Sequence, residues 1–195
     1  MEPLLVKPAV SKKEATATAR VLDLPYDEIF EVIRRHEGFR AKPYRDSVNK
    51  WTIGIGTLIG DGSDAALAKS PYRNATLTEQ QAEQIAREEV MSKAKLAASD
   101  DQLGEAFTSL SPRLKAQVIS GYYRGDIAGS PATKKLIKER KFEEAAKEFL
   151  NNEEYRAAKK SGSGVAPRME EVSKALRDEA TRNTFAGAVE DRLSR

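Results

Sequence analysis

Between Ile33 and Gly56 the chain reads IRRHEGFRAKPYRDSVNKWTIGIG, and three of its side chains have the right types for acid–base work on a glycosidic bond. Glu37 is followed nine residues on by Asp46 and six further by Thr52. Cleaving such a bond needs a proton for the leaving oxygen. It also needs a second group that stabilises the cationic centre or activates water, and two carboxyls in unlike surroundings supply both. Glu37 falls at a helix end beside Ile33 and Phe39. Helix C-termini and apolar neighbours both disfavour an added negative charge, which suits a proton donor. Asp46 stands among Arg45, Ser47 and Thr52, polar company that suits a base. By residue type alone the pair equally describes two solvated surface charges, and both readings stand at this point.

The elements that must position these groups can be read around them. Asp27 is placed to cap a helix carrying Ile29, Val32 and Ile33 on one face and ending near Gly38, which suits a left-handed residue past a C-terminus. KPYRDS and WTIGIG read as two short strands joined by SVNK. Ile53 and Ile55 share one face, and Gly54 and Gly56 leave the other bare for a ligand or another backbone. GDGS at 60–63 and the stretch 71–76 read as loops. Thr78 and Gln81 form a capping box that opens a helix to about Ala98, with Ala82, Ile85, Ala86, Val90 and Ala94 at helical spacing. Ser111-Pro112 opens another, carrying Leu114, Val118, Ile119 and Tyr122 and ended by Gly125. Ser130-Pro131 starts a short helix with Leu136 and Ile137, KFEEAAKEFL is amphipathic, SGSG at 161–164 is a break, and a last helical region runs from Arg168 to about Leu193. With no repeat and no βαβ alternation, a parallel sheet is disfavoured. The expected fold is α+β and mostly helical, with a small β-hairpin lobe at 38–76 and a larger helical lobe at 78–195 joined by the long helix. Residues 1–25, with three prolines and no sustained apolar period, read as an N-terminal extension, either a tail or a docking segment, with a short helix at Lys12 to Leu22.

Composition bounds the function. The 195 residues suit one domain, at 26–195, and 39% hydrophobic with 32% charged residues suits a globular chain. The net charge of +3 favours encounter with a polyanion, and nucleic acid and an anionic cell wall fit equally. Lys and Arg are interleaved with acids, and no nucleic-acid reading motif is present, so a helical nucleic-acid binder rests on the pI of about 9.0 alone. There is no Cys, which excludes disulfides and thiolate chemistry. The single histidine, His36, excludes sites needing two imidazoles and is expected to pack or cap locally. No GxSxG turn offers a nucleophilic serine. The expectation is no metal, no signal peptide, no membrane span and synthesis in a cytoplasm.

HEG, then YRDS, then WTIGIG, in this order and at these distances, resemble the phage-type lysozymes: the T4-like phage lysozymes and endolysins of glycoside hydrolase family 24. The family pattern is a glutamate in (H/D)EG, an aspartate nine residues on in Y-x-D-(S/T), and a threonine six later opening TIGxG; Glu37, Asp46 and Thr52 match each position. More thinly, the likeness runs from Asp27 to about Leu176. TLTEQQAEQIAREEV is similar to the family's long connecting helix, GDIAGSPATKKLIKERKFEEAAKEF to part of its helical lobe, and GVAPRMEEV to its G-(L/V)-x-x-R motif.

The resemblance implies a lysozyme-like fold and a muramidase that cuts the β-1,4 bond between N-acetylmuramic acid and N-acetylglucosamine in bacterial peptidoglycan, with inversion and without cofactor. It makes Glu37 the general acid and Asp46 the second carboxylate, with Thr52 helping to hold the attacking water. Arg168 would orient Glu37, and Gly54 and Gly56 would keep the sugar side open. It implies a phage setting, with the enzyme waiting in the host cytoplasm for a holin or riding in a virion tail. In the second case residues 1–25 would dock on tail proteins. Two departures stand out. Thr57 replaces a histidine that forms a buried ion pair in the best-known member, which touches stability rather than chemistry. Tyr122-Tyr123-Arg124-Gly125 replaces Phe-Asn-x-Gly, so Tyr123 stands where a sugar-binding amide is expected. That second change is the main support for an alternative, a lysozyme-fold binding or structural component of a phage particle without turnover. Trp51 fits either the core or a stacking platform for sugars, and Tyr122 and Tyr123 are expected to divide between core and cleft. The stretch 151–163 is longer and more charged than the family pattern.

Overall fold

In the computed structural model the described residues are 24, 26–46, 49–103 and 106–193, with side chains to 185. The expected helix at Lys12 to Leu22 lies outside them.

Helix α1 (Tyr26–Glu37) buries Ile29, Phe30 and Ile33 and stops at Gly38, which takes φ 64°. The Gly38 amide donates to the Arg34 carbonyl at 3.0 Å, closing the last turn just where Glu37 emerges. Asp27 is not the cap. The helix begins at Tyr26, and Asp27 lies with Glu28 in the first turn, where the positive end of the helix dipole favours carboxylates.

Three antiparallel strands follow, β1 (Arg40–Arg45), β2 (Trp51–Gly54) and β3 (Thr57–Gly60), in the order β1-β2-β3, one strand more than the expected hairpin. WTIGIG is therefore not one strand: it leaves the sheet at Gly54, and Ile55 and Gly56 form the turn into β3. Thr52 pairs with Tyr44 on one side and Leu58 on the other, so it is central in the sheet and 3% exposed. Ile53 and Ile55 are both fully buried, as their alternation predicts, and Ile55 joins the main core. Pro43 sits in β1, an edge strand, where a missing N–H costs no ladder bond. The GDGS loop runs into a helix that the sequence pattern did not predict, α2 (Asp64–Lys69), capped by the Ser63 side chain. None of its residues is buried, so it has no apolar stripe to announce it.

The helical part opens with α3 (Glu79–Ala98), whose capping box is formed reciprocally by Thr78 and Gln81. Then come α4 (Ala106–Ser109), α5 (Pro112–Arg124), α6 (Pro131–Lys138), α7 (Phe142–Phe149), α8 (Glu153–Ser161) and α9 (Val165–Leu193). Ser111 caps α5 and Gly125 ends it, as expected, but the Ser130 side chain makes no capping bond to α6. The unpredicted α8, capped by Asn152, fills most of the charged stretch 151–163, and α9 starts before Arg168.

Leu114, Val118 and Ile119 of α5 are fully buried, with α1, α3 and α9 packed around that helix. Each such side chain contributes about 1.5–3 kcal/mol by leaving water. Arg87 of α3, paired with Glu83, lies over the rings of Tyr26 and Phe30 and fastens α1 to α3. The fold is α+β and mostly helical. Its consequence for the site is that α1 is anchored in the helical core while its last residue meets the sheet.

Candidate active site

A cleft of about 580 Å³ is lined by Glu37, Asp46, Thr52, Gly56, Tyr123 and Arg168, together with Tyr44 and the Arg124–Asp126 pair. Six of the seven residues singled out as catalytic, binding or orienting thus line one cleft, Gly56 and Tyr123 among them, while Gly54 is not brought to it.

Glu37 projects from the end of α1, with its side chain 19% exposed. Arg168, from the first turns of α9, donates to Glu37 Oε1 at 2.9 Å, and its second terminal nitrogen donates to the His36 carbonyl. One guanidinium thus holds both the carboxylate and an otherwise orphaned carbonyl at a helix C-terminus, where a cation is favoured. The surroundings are less apolar than the sequence neighbours predict: Phe39 is 38% exposed, and the nearest strong partner of Glu37 is this cation. Three residues along α9, Glu171 accepts from Arg35 at 2.9 Å, and its Oε2 lies 3.1 Å from His36 Nε2. Burial pushes the His36 imidazole below its ordinary value despite Glu171. The local packing role expected for His36 is what this geometry describes.

Asp46 stands just past β1. Its Oδ1 accepts from the Lys50 amide at 2.8 Å, and its own amide donates to the Lys50 carbonyl at 2.9 Å. The hairpin backbone thereby fixes the carboxylate at the cleft. Thr52 Oγ1 lies 3.5 Å from Asp46 Oδ2 and 3.4 Å from the Lys50 carbonyl, both long contacts. Tyr44, absent from the sequence candidates, joins the wall. Burial raises its phenol, and the charges of Glu37 and Asp46 push the same way.

The two glycines part company. A Cβ built on Gly56, at φ 75°, would lie 2.8 Å from Glu37 Cγ, so the turn is packed directly against that side chain. A Cβ on Gly54 would instead meet Ala82 Cβ at 3.0 Å, so Gly54 serves the contact of sheet with α3. Trp51 is neither deep core nor part of the cleft lining. Its indole N–H donates to the Ser63 carbonyl at 3.1 Å and Arg45 lies over its ring.

Tyr122 and Tyr123 divide as expected. Tyr122 is 6% exposed and Tyr123 lines the cleft. The Tyr123 hydroxyl, however, is turned to protein: it lies 2.8 Å from the Ile55 carbonyl and 2.9 Å from Glu89 Oε2. Burial pushes this phenol far up, helped by Glu89, and burial raises the Glu89 carboxyl against the hydroxyls of Tyr123 and Thr57. Glu89 carries no signal of its own, being one of two acids in the exposed-looking EEV run of α3. Across the cleft, Arg124 donates to Asp126 Oδ2 at 3.0 and 2.9 Å.

Among the described residues no group of three or more His, Asp or Glu side chains is placed to hold a metal ion, and no helix is long and apolar enough to cross a membrane.

The sequence motifs that meet in this cleft lie inside residues 34–171, the stretch that matches the model of the phage lysozyme family. That stretch covers well over half of the chain, and the protein belongs to the phage lysozyme family.

Proposed function

We propose that the protein is a muramidase that hydrolyses the β-1,4 bond between N-acetylmuramic acid and N-acetylglucosamine in peptidoglycan. Glu37 gives its proton to the leaving glycosidic oxygen. Asp46, with Thr52, holds a water and takes its proton as the water oxygen bonds to the anomeric carbon. Glu37 ends as carboxylate and Asp46 as acid, and solvent resets both. In this reading the reaction inverts the anomeric centre, with water and leaving group on opposite faces. Arg168 is the positioning residue of Glu37 and steadies the carboxylate left after proton transfer.

The observation that carries the reading is the convergence of Glu37 and Asp46 on one cleft, with Arg168, 131 residues further along the chain, ion-paired to Glu37. The motif resemblance assigns these same three residues to one site. The net charge of +3 fits approach to an anionic wall. The setting that fits best is phage lysis or entry, with the wall reached from the host cytoplasm or from a virion, and residues 1–25 the docking segment in the second case.

The test is clearing of outer-membrane-permeabilised Gram-negative cells by wild type beside Glu37→Gln. Wild type is expected to clear them and the variant to fail. Proton NMR of the first products is expected to show the α-anomer. Clearing by both proteins would remove Glu37 from the chemistry, and clearing by neither, with folded protein, would favour a binding or structural component.

A further inference from the structure

Gly56, the residue packed against Glu37, is gripped on both flanks by one carboxyl of α3. On one side Thr57 Oγ1 donates to Glu89 Oε2 at 3.1 Å. On the other the Tyr123 hydroxyl meets the Ile55 carbonyl at 2.8 Å and the same Glu89 oxygen at 2.9 Å. Three parts of the fold meet here: α3 supplies Glu89, α5 supplies Tyr123, and the β2–β3 turn with the first residue of β3 supplies Ile55 and Thr57.

These distances impose a proton count. Tyr123 has one hydroxyl hydrogen, and the Ile55 carbonyl has none. If Glu89 is ionised, Tyr123 can satisfy either the carbonyl or the carboxylate, and the other short contact becomes two acceptors facing each other. If Glu89 carries a proton, it donates to the Tyr123 oxygen, Tyr123 donates to Ile55, and Thr57 donates to Glu89. The Ile55 carbonyl, the two hydroxyls and the Glu89 oxygen between them then all have a hydrogen bond, as buried polar groups require.

We propose that Glu89 is a positioning residue for the cleavage: as the neutral acid it links Tyr123 and Thr57, and so pins the Ile55–Gly56–Thr57 turn that sets the Glu37 side chain. This rests on the reading of Glu37 as general acid. The surrounding groups agree with a neutral Glu89. Burial raises its carboxyl, and the hydroxyls of Tyr123 and Thr57 and the charge of Lys93, one turn along α3, oppose this without reversing it. Tyr123, facing it from α5, is itself held neutral by burial and by Glu89, with Glu37 of α1 adding in the same direction. Tyr72, from the segment after α2, is raised by burial and by the charges of Glu88 and Glu89. Ionising Glu89 removes the donor to Tyr123 and frees one flank of the turn. Turnover should therefore fall on the alkaline side as Glu89 loses its proton, apart from any change in substrate binding.

The experiment is kcat and KM on soluble, uncross-linked glycan strands across the acid-to-alkaline range, for wild type, Glu89→Gln, Glu89→Ala, Tyr123→Phe and Glu37→Gln. Glu89→Ala should lose about tenfold or more in kcat with KM changed less than about threefold, the signature of a misplaced reacting group. Glu89→Gln, whose amide nitrogen in place of that oxygen has two hydrogens to donate, one to Tyr123 and one to the Thr57 hydroxyl, should rescue kcat and move the alkaline limb of its pH profile upward. Tyr123→Phe should share the loss of Glu89→Ala. A Glu89→Gln profile with the wild-type alkaline limb, or Glu89→Ala with wild-type kcat, overturns the proposal. If Glu89→Ala does not fold, the Glu89→Gln profile decides. Glu37→Gln separates the two levels: an inactive Glu37→Gln beside unaffected Glu89 variants sinks this inference alone, and an active Glu37→Gln sinks the site reading beneath it.

Discussion

Gly56→Ala places a methyl where the Glu37 side chain stands. The new carbon would lie 2.8 Å from Cγ, 3.1 Å from Cδ and 3.0 Å from Oε2. Carbon atoms pack at about 3.5–4.0 Å, so Glu37 must withdraw by about 0.7 Å or more. Arg168 meets Glu37 Oε1 at 2.9 Å, and a shift of that size away from it takes the bond to about 3.6 Å, beyond useful hydrogen bonding. The obstructing atoms are the far end of a flexible side chain, so the fold itself can escape the clash. What it cannot escape is the backbone, since φ 75° costs an L-residue about 1–2 kcal/mol. Gly162→Ala is the matched control, because it has φ 70° and nothing within 4 Å of the added carbon. Both variants should lose about 1–2 kcal/mol, a fall in Tm of about 2–8 °C for a chain of this size. Activity should separate them. Gly56→Ala should clear permeabilised cells about 10–100-fold more slowly, as a sub-ångström displacement of a reacting group predicts, and Gly162→Ala should stay within about twofold of wild type. Thermal unfolding and initial clearing rates, measured on the same preparations, check both halves. Equal activity of the two variants at equal folded fraction would refute the placement of Glu37 by this turn. A much larger stability loss in Gly56→Ala would mean that the backbone, rather than Glu37, gives way.

Two further outcomes follow from other contacts. Arg168→Lys keeps a positive charge near Glu37 but loses the planar fork that holds the carboxylate and the His36 carbonyl together. Clearing should slow about tenfold while stability changes by less than about 1 kcal/mol, and a lysine variant as active as wild type would reduce Arg168 to a counter-charge. Asp100 offers a pH test of stability. Burial would raise its carboxyl, but the Tyr122 hydroxyl and the Lys134 ammonium outweigh burial and hold it below the ordinary 3.8. Its pKa is thus lower folded than unfolded, so its contribution is full above the unfolded value and is lost as pH falls through the folded one. Asp100→Asn should cost about 2 kcal/mol at neutral pH, since buried Lys134 loses its counter-charge. Urea unfolding should show that gap closing in acid, and a gap that persists in strong acid would contradict this assignment.

What was legible in the chain depended on distance along it. Glu37, Asp46 and Thr52 lie so close in sequence that a helix end and a hairpin must bring them near one another. The capping box at Thr78 and the Ser111-Pro112 start are likewise short-range signals, and both stand in the structure. The errors are of the same local kind. Asp27 and Tyr26 compete for a single boundary, and GDGS reads as a loop because the helix it caps buries nothing. Arg168 was legible through a motif alone, because no periodicity connects residues 131 apart. Glu89 was not legible at all: its two hydroxyl partners lie 32 and 34 residues away, and an acid inside EEV looks solvated. Yet the departures at Thr57 and Tyr123, read separately in the sequence as a lost ion pair and a lost amide, converge on that one carboxyl. Neither side chain brings it a positive charge. Thr57 brings it one hydroxyl hydrogen, and Tyr123, whose own hydrogen goes to the Ile55 carbonyl, brings it an acceptor that a neutral acid can use and a carboxylate cannot. Thr57, Glu89 and Tyr123 thus form a group held by neutral hydrogen bonds behind the turn that packs on Glu37.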